Sequence, residues 1–155
     1  MPAFAFLALL HMLGAAAGVP TAVEQEPAEK LFAARVVNCT FTTMASGTWN
    51  SGVAVAETRA SKLSFGFDQI DADQGTARVI GAFGPSDIIV RFSLGALHFV
   101  QAFREGPLYA TTIFPQESRD GKFKAVHTRH EFTEVRLPGF TSRPEQYYGE
   151  CEIPR

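Results

Sequence analysis

Between Arg35 and Cys151, short runs of alternating apolar and polar residues are interrupted by turn formers at intervals of roughly 10 residues. This rhythm restricts the fold more than any other feature of the chain. Val37, Cys39 and Phe41 fall on one face of an extended segment, and Asn38, Thr40 and Thr42 on the other. A period of two places successive side chains on opposite sides of a strand, so residues 35–43 predict a strand with one buried face. Leu63, Phe65 and Phe67 repeat the pattern against Ser64, Gly66 and Asp68. Weaker or shorter versions occupy 53–58, 76–82, 88–92, 97–103, 108–114, 122–135 and 146–151. Turns are expected at 45–52, 71–75, 84–87 and 105–107, where Gly, Pro, Asp, Asn and Ser gather.

No long amphipathic segment separates these runs, which argues against a parallel βαβ architecture. The expectation is a single all-β domain over 35–155. Its form is a small antiparallel up-and-down barrel of about eight or nine strands, with a β-sandwich as the alternative. The 14 phenylalanines suit a pleated, half-buried surface.

The amino terminus reads as a different kind of segment. Residues 3–17 are apolar or small apart from His11, and they end in Ala15-Ala16-Ala17 before Gly18. The run is shorter than the roughly 20 residues a membrane-spanning helix needs, and its ending fits the small-residue rule of a signal peptide. No Lys or Arg precedes it. Residues 1–17 are therefore expected to be a signal peptide, with a secreted or periplasmic mature chain and no membrane span in it. Residues 18–34, polar and carrying Pro20 and Pro27, read as a flexible lead-in.

Export bears on the two cysteines. Cys39 and Cys151 sit near opposite ends of the mature chain, and an oxidising compartment favours joining them in a disulfide. The competing account is two buried thiols acting as small hydrophobes. A bridge between the first and last strands would suit a closed barrel, where those strands become neighbours. In strand count and terminal-strand disulfide the chain is similar to the calycin-like barrels, although the G-x-W signature of lipocalins is absent from the first strand. That resemblance implies a fold and carries no function.

The formal net charge is −2, so there is no global basic field to draw nucleic acid or anionic lipid. The chemically dense stretch is 120–132, DGKFKAVHTRHEF. On a strand, His127, Arg129 and Glu131 share a face with Phe123 and Ala125, while His130 shares the other with Val126 and Thr128. One histidine must point inward. With His127 and Arg129 inside, a barrel mouth could meet a small apolar or anionic ligand, since Arg matches a carboxylate and His exchanges a proton near neutrality. Tyr109 and Trp49 complete the candidate ligand-binding set. Trp49 lies in the expected 45–52 loop, either as a plug on the core, the commoner fate of a lone Trp, or as an exposed anchor.

The bland account of the same residues is that they are satisfied by backbone and neighbours or face water. The H-x-x-H spacing puts His127 and His130 on opposite faces of a strand, so no zinc site is expected. The acidic residues Asp68, Asp71 and Asp73 read as an Asp-rich turn, lacking the remaining ligands of a calcium loop. No cofactor fingerprint or hydrolase motif is present. Three functions remain, in descending order. The first is a small-ligand-binding or envelope accessory protein. The second is a protein-interaction or inhibitor module presenting the Trp49 segment or residues 138–143. The third is a small barrel enzyme using His127 or His130, with Arg129 and Tyr109 orienting.

Overall fold

The computed structural model describes residues 22–82, 84–104, 106–118, 120–131 and 142–154. The expected signal peptide and the segment joining the last two strands, including the expected extension of the dense strand to Val135, lie outside the described residues, as does most of the 138–143 loop.

Eight strands form one closed barrel in which each strand pairs antiparallel with the next in sequence. They are β1 (Val37–Asn50), β2 (Val53–Asp71), β3 (Thr76–Gly81), β4 (Gly84–Ser93), β5 (Ala96–Ala102), β6 (Leu108–Glu117), β7 (Phe123–His130) and β8 (Glu145–Glu152). The ring closes where β8 returns to β1 in antiparallel register, with Cys151 directly opposite Cys39. The two are joined in a disulfide, which fastens the seam at which the two ends of the domain meet. The barrel, and not the sandwich, is the architecture.

Alternation places the apolar face inward all round the ring. Val37, Cys39, Phe41, Phe67, Ala77, Val90, Leu97, Phe99, Ile113, Phe123, Ala125 and Cys151 are all buried. Phe67 and Phe99 stack across the interior with ring centroids 3.8 Å apart. β1 carries an irregularity between Phe41 and Thr43 in its pairing with both neighbours. Opposite it lies Gly149, where an added Cβ would come 2.1 Å from the Thr40 carbonyl oxygen and 2.5 Å from Phe41 Cα. The close approach of β8 to β1 thus needs a residue with no side chain.

Two expectations need correction. Residues 45–52 are not a loop around Trp49: β1 runs through them to Asn50, and only Ser51 and Gly52 turn the chain. Both have positive φ, 48° and 81°, as a two-residue hairpin requires for its twist to match the strands. Ser46, Gly47 and Thr48 are small residues inside a strand because pairing with β2 holds all three, and β8 also holds Ser46. The runs expected at 53–58 and 63–67 accordingly merge into the 19-residue β2.

The second correction concerns the lead-in, where Ala22–Ala33 form a helix, α1. Its Ala, Glu and Lys content favours helix, and Glu26 and Lys30 pair at 2.9 Å one turn apart. Leu31 is fully buried in the core cluster, and Phe32 meets Phe92 edge-on at 5.1 Å. Little else of the helix is apolar on one face, so its periodic signal is faint. Gly95, in the β4–β5 turn, lies close to Ala28 and Pro115. The helix therefore packs at the barrel end that holds that turn.

Candidate ligand-binding site

The described residues leave the opposite half of the barrel unfilled. A cavity of about 190 Å³ lies inside the wall, lined by Leu63, Phe65, Phe67, Val79, Ile88, Phe99 and Phe103 on its apolar sides, with Gly81, Gly84 and Ser86 at the β3–β4 rim. Tyr109, Thr111, His127 and Gln101 supply its polar atoms. The division follows from strand lengths. β3 is only six residues long and its inward side chains beyond Ala77 are Val79 and Gly81, so the wall thins near the rim. An eight-stranded ring leaves an interior that side chains can just fill or that can hold one small molecule.

Two of the residues singled out in the sequence, His127 and Tyr109, line this cavity, and a third, Arg129, stands against both of them. β7 directs His127 and Arg129 inward, and β6 pairs with it so that Thr111 stands opposite His127 and Tyr109 opposite Arg129. His127 is 5% exposed. Its Nδ1 lies 2.8 Å from Thr111 Oγ1, and its Nε2 accepts a hydrogen bond from Arg129 Nε at 3.3 Å. A guanidinium can only donate, so Nε2 carries the lone pair and Nδ1 carries the proton, which it donates to Thr111. Burial, reinforced by the Arg129 charge, pushes the imidazole pKa down to about 3. The ring is neutral at physiological pH. Phe65 presents its edge or face to it at 4.9 Å.

Arg129 lies between two phenol rings, 5.1 Å from the centroid of Tyr109 and 5.2 Å from that of Tyr147. This is the stacking geometry in which a guanidinium is held by ring quadrupoles. Each phenol in turn donates to a carboxylate, Tyr109 to Glu131 and Tyr147 to Glu145. Burial, helped by its Glu131 partner, raises the Tyr109 pKa well above the ordinary phenol value, and burial with Glu145 pushes Tyr147 up to about 12. Arg59 approaches Glu145 at 3.7 Å. His127 and Arg129 are legible in the alternation of β7 itself. Tyr147, Glu145 and Thr111 carry no such local signal and join the cluster only through strand pairing.

The other candidates lie elsewhere. His130 is exposed on the outer face of β7, so the two histidines do not meet. Trp49 is 61% exposed near the tip of the β1–β2 hairpin, away from the cavity. It is not a plug, because the strand carries it past the end of the barrel. Among the described residues no group of three or more His, Cys, Asp or Glu side chains could hold a metal ion. Asp68 is committed to Arg78 by two hydrogen bonds of 2.9 and 2.8 Å, and Asp71 Oδ1 accepts from the Gln74 amide at 2.9 Å within the turn. No helix among the described residues is long and apolar enough to cross a membrane.

Chemically the cluster is suited to fixing a shape. Both nitrogens of His127 are engaged, so neither is free to take a proton from a substrate, and a group with its pKa near 3 is a weak base at neutral pH. No family model matches the chain, and no curated protein or solved structure matches it either.

Proposed function

We propose that the protein is a small exported binding protein whose barrel holds one neutral, mainly apolar molecule. The observation that supports this reading is the cavity of about 190 Å³, which no charged side chain lines among the described residues. His127 contributes to it as a neutral ring, and the Arg129 charge is spent on His127 and the two phenols. An anion placed among Phe65, Phe67 and Phe99 would lose its hydration without gaining a partner, which is costly. Of the two ligand types expected, the apolar one fits better than the anionic one. An apolar cavity of about 150 Å³ holds a benzene-sized molecule, so a single substituted ring or a short chain with one hydroxyl or carbonyl fits here. The Cys39–Cys151 bridge in an all-β fold is consistent with a small secreted protein.

Titration with toluene, indole and hexanol, followed by amide and methyl NMR shifts of β6 and β7, tests the reading, with hexanoate as the anionic comparison. Saturable shifts at Thr111 and His127 are expected for the neutral probes and much weaker ones for hexanoate. A Ser86→Phe substitution at the exposed rim should block them without unfolding the barrel. Absence of saturable shifts with every neutral probe removes the proposal.

A second reading, a protein-interaction module, draws on the projecting hairpin. Trp49 is 61% exposed on one face of it, and Val53 and Val55 are 65% and 43% exposed on the other; exposed aromatic and branched side chains on a projecting element favour a partner surface.

A further inference from the structure

β2 is much longer than the strand that should cover it. β1 pairs with it from Val53 to Phe67, whereas β3 pairs with it only from Gly66 onward. Residues 53–65 therefore have a hydrogen-bonded neighbour on one side only among the described residues. Their other side is a row of backbone donors and acceptors open to a further strand. Residues 53–60 are exposed throughout, and the stretch contains no proline to block pairing.

We propose that this edge pairs antiparallel with the same edge of a second copy of the chain, about a two-fold axis at Thr58. The inference rests on the reading of the hairpin as an interaction surface and names its partner. The charge pattern selects both the partner and the register. Directly opposed residues in such a pair sum to a constant and share a face. Centring the axis on Glu57 or on Arg59 sets like charges against each other. Centring it on Thr58 sets Glu57 opposite Arg59 of the second copy, twice by symmetry, with Val53 opposite Leu63 at each end and Lys62 opposite Ala54. The Arg59 side chain is 63% exposed and only loosely paired with Glu145, at 3.7 Å, so it can reach across. A two-fold perpendicular to the sheet keeps the concave faces of both barrels on one side, and it brings Val53 of each copy to Leu63 at the rim of the other's cavity.

Sedimentation velocity of the oxidised protein over a wide concentration range tests this, with hydrogen exchange of the β2 amides read at both ends of the range. A reversible dimer is expected, with those amides in 53–63 that point away from β1 gaining protection as it forms. Glu57→Arg or Arg59→Glu alone should weaken the dimer roughly tenfold or more. The double reversal E57R/R59E should restore it to within about threefold of the original constant. Thermal unfolding of each variant separates this from loss of fold. A dimer indifferent to the single reversals, or not recovered by the double one, overturns the register. A chain that stays monomeric with fast-exchanging edge amides overturns self-pairing alone. Slow exchange of the outward-pointing amides in the monomer shows that the edge is already covered, and it removes the interaction reading as well.

Discussion

Arg129 donates through Nε to Nε2 of His127, two residues earlier on the same strand and on the same inward face, at 3.3 Å. The contact reverses what the two residues suggest when read separately. A histidine beside an arginine looks like a proton-transfer site, but here the arginine occupies the basic nitrogen and helps keep the ring uncharged. The pair, with Thr111 on the far side of the ring, holds the imidazole in place beside the cavity.

The buried neutral imidazole makes stability depend on pH. Its folded pKa, about 3, lies below the ordinary value near 6.5. The unfolded chain therefore binds the proton more readily than the folded one. The stabilisation is complete above about pH 6.5 and is lost as the pH falls towards 3, at up to about 1.4 kcal/mol per pH unit. Urea midpoints measured between pH 7.5 and 4.5 should show this slope, and His127→Gln should flatten it. An unchanged slope in that variant would assign the dependence to other groups.

The disulfide closes a loop spanning a sequence separation of 112 residues. In the chain-entropy account such a bridge stabilises by about 4–5 kcal/mol. Replacing Cys39 and Cys151 together by Ala should lower unfolding free energy by about 3–5 kcal/mol, as read from chemical denaturation. The loss should be largest in hydrogen-exchange protection along the β1–β8 seam.

Gly149→Ala places a methyl group within 2.1 Å of the Thr40 carbonyl oxygen. The obstacle is backbone, which cannot rotate aside as a side chain can. A loss of about 2 kcal/mol or more is expected. Gly47→Ala meets nothing within 4 Å and serves as the control. Thermal melts of the two variants decide the matter, and equal stabilities would contradict the close approach.

Trp49 should fluoresce as a solvated indole, with emission quenched readily by acrylamide, because 61% of its surface is accessible. Trp49→Ser should change the unfolding free energy by less than about 1 kcal/mol. A plug buried in the core would give blue-shifted, protected emission and a loss of about 3–5 kcal/mol on truncation. The two outcomes are far enough apart for a single titration to separate them.

What the sequence by itself determined is the local alternation and its consequences. Leu63, Phe65 and Phe67, or Tyr147, Gly149 and Cys151, can bury one face only as strands, and turn residues between such runs make neighbours antiparallel. The same face assignment points Cys39 and Cys151 inward and leaves a bridge or two buried thiols open; closure of the ring, which sets the two opposite each other, decides for the bridge. The inner face of β7 was legible as a choice between two registers. Tertiary structure made that choice, because Phe123 and Ala125 belong to the core and carry His127 and Arg129 with them. It also decided whatever depends on long-range pairing. Thr111 and Tyr147 reach His127 from strands with no sequence relation to it. Turn-prone Ser46, Gly47 and Thr48 become strand because β2 and β8 offer them hydrogen bonds. Helix α1 forms on a weak pattern because Leu31 has a core to enter. The cavity itself is a volume left over when eight strands of unequal length close into a ring, and no local run of residues encodes it.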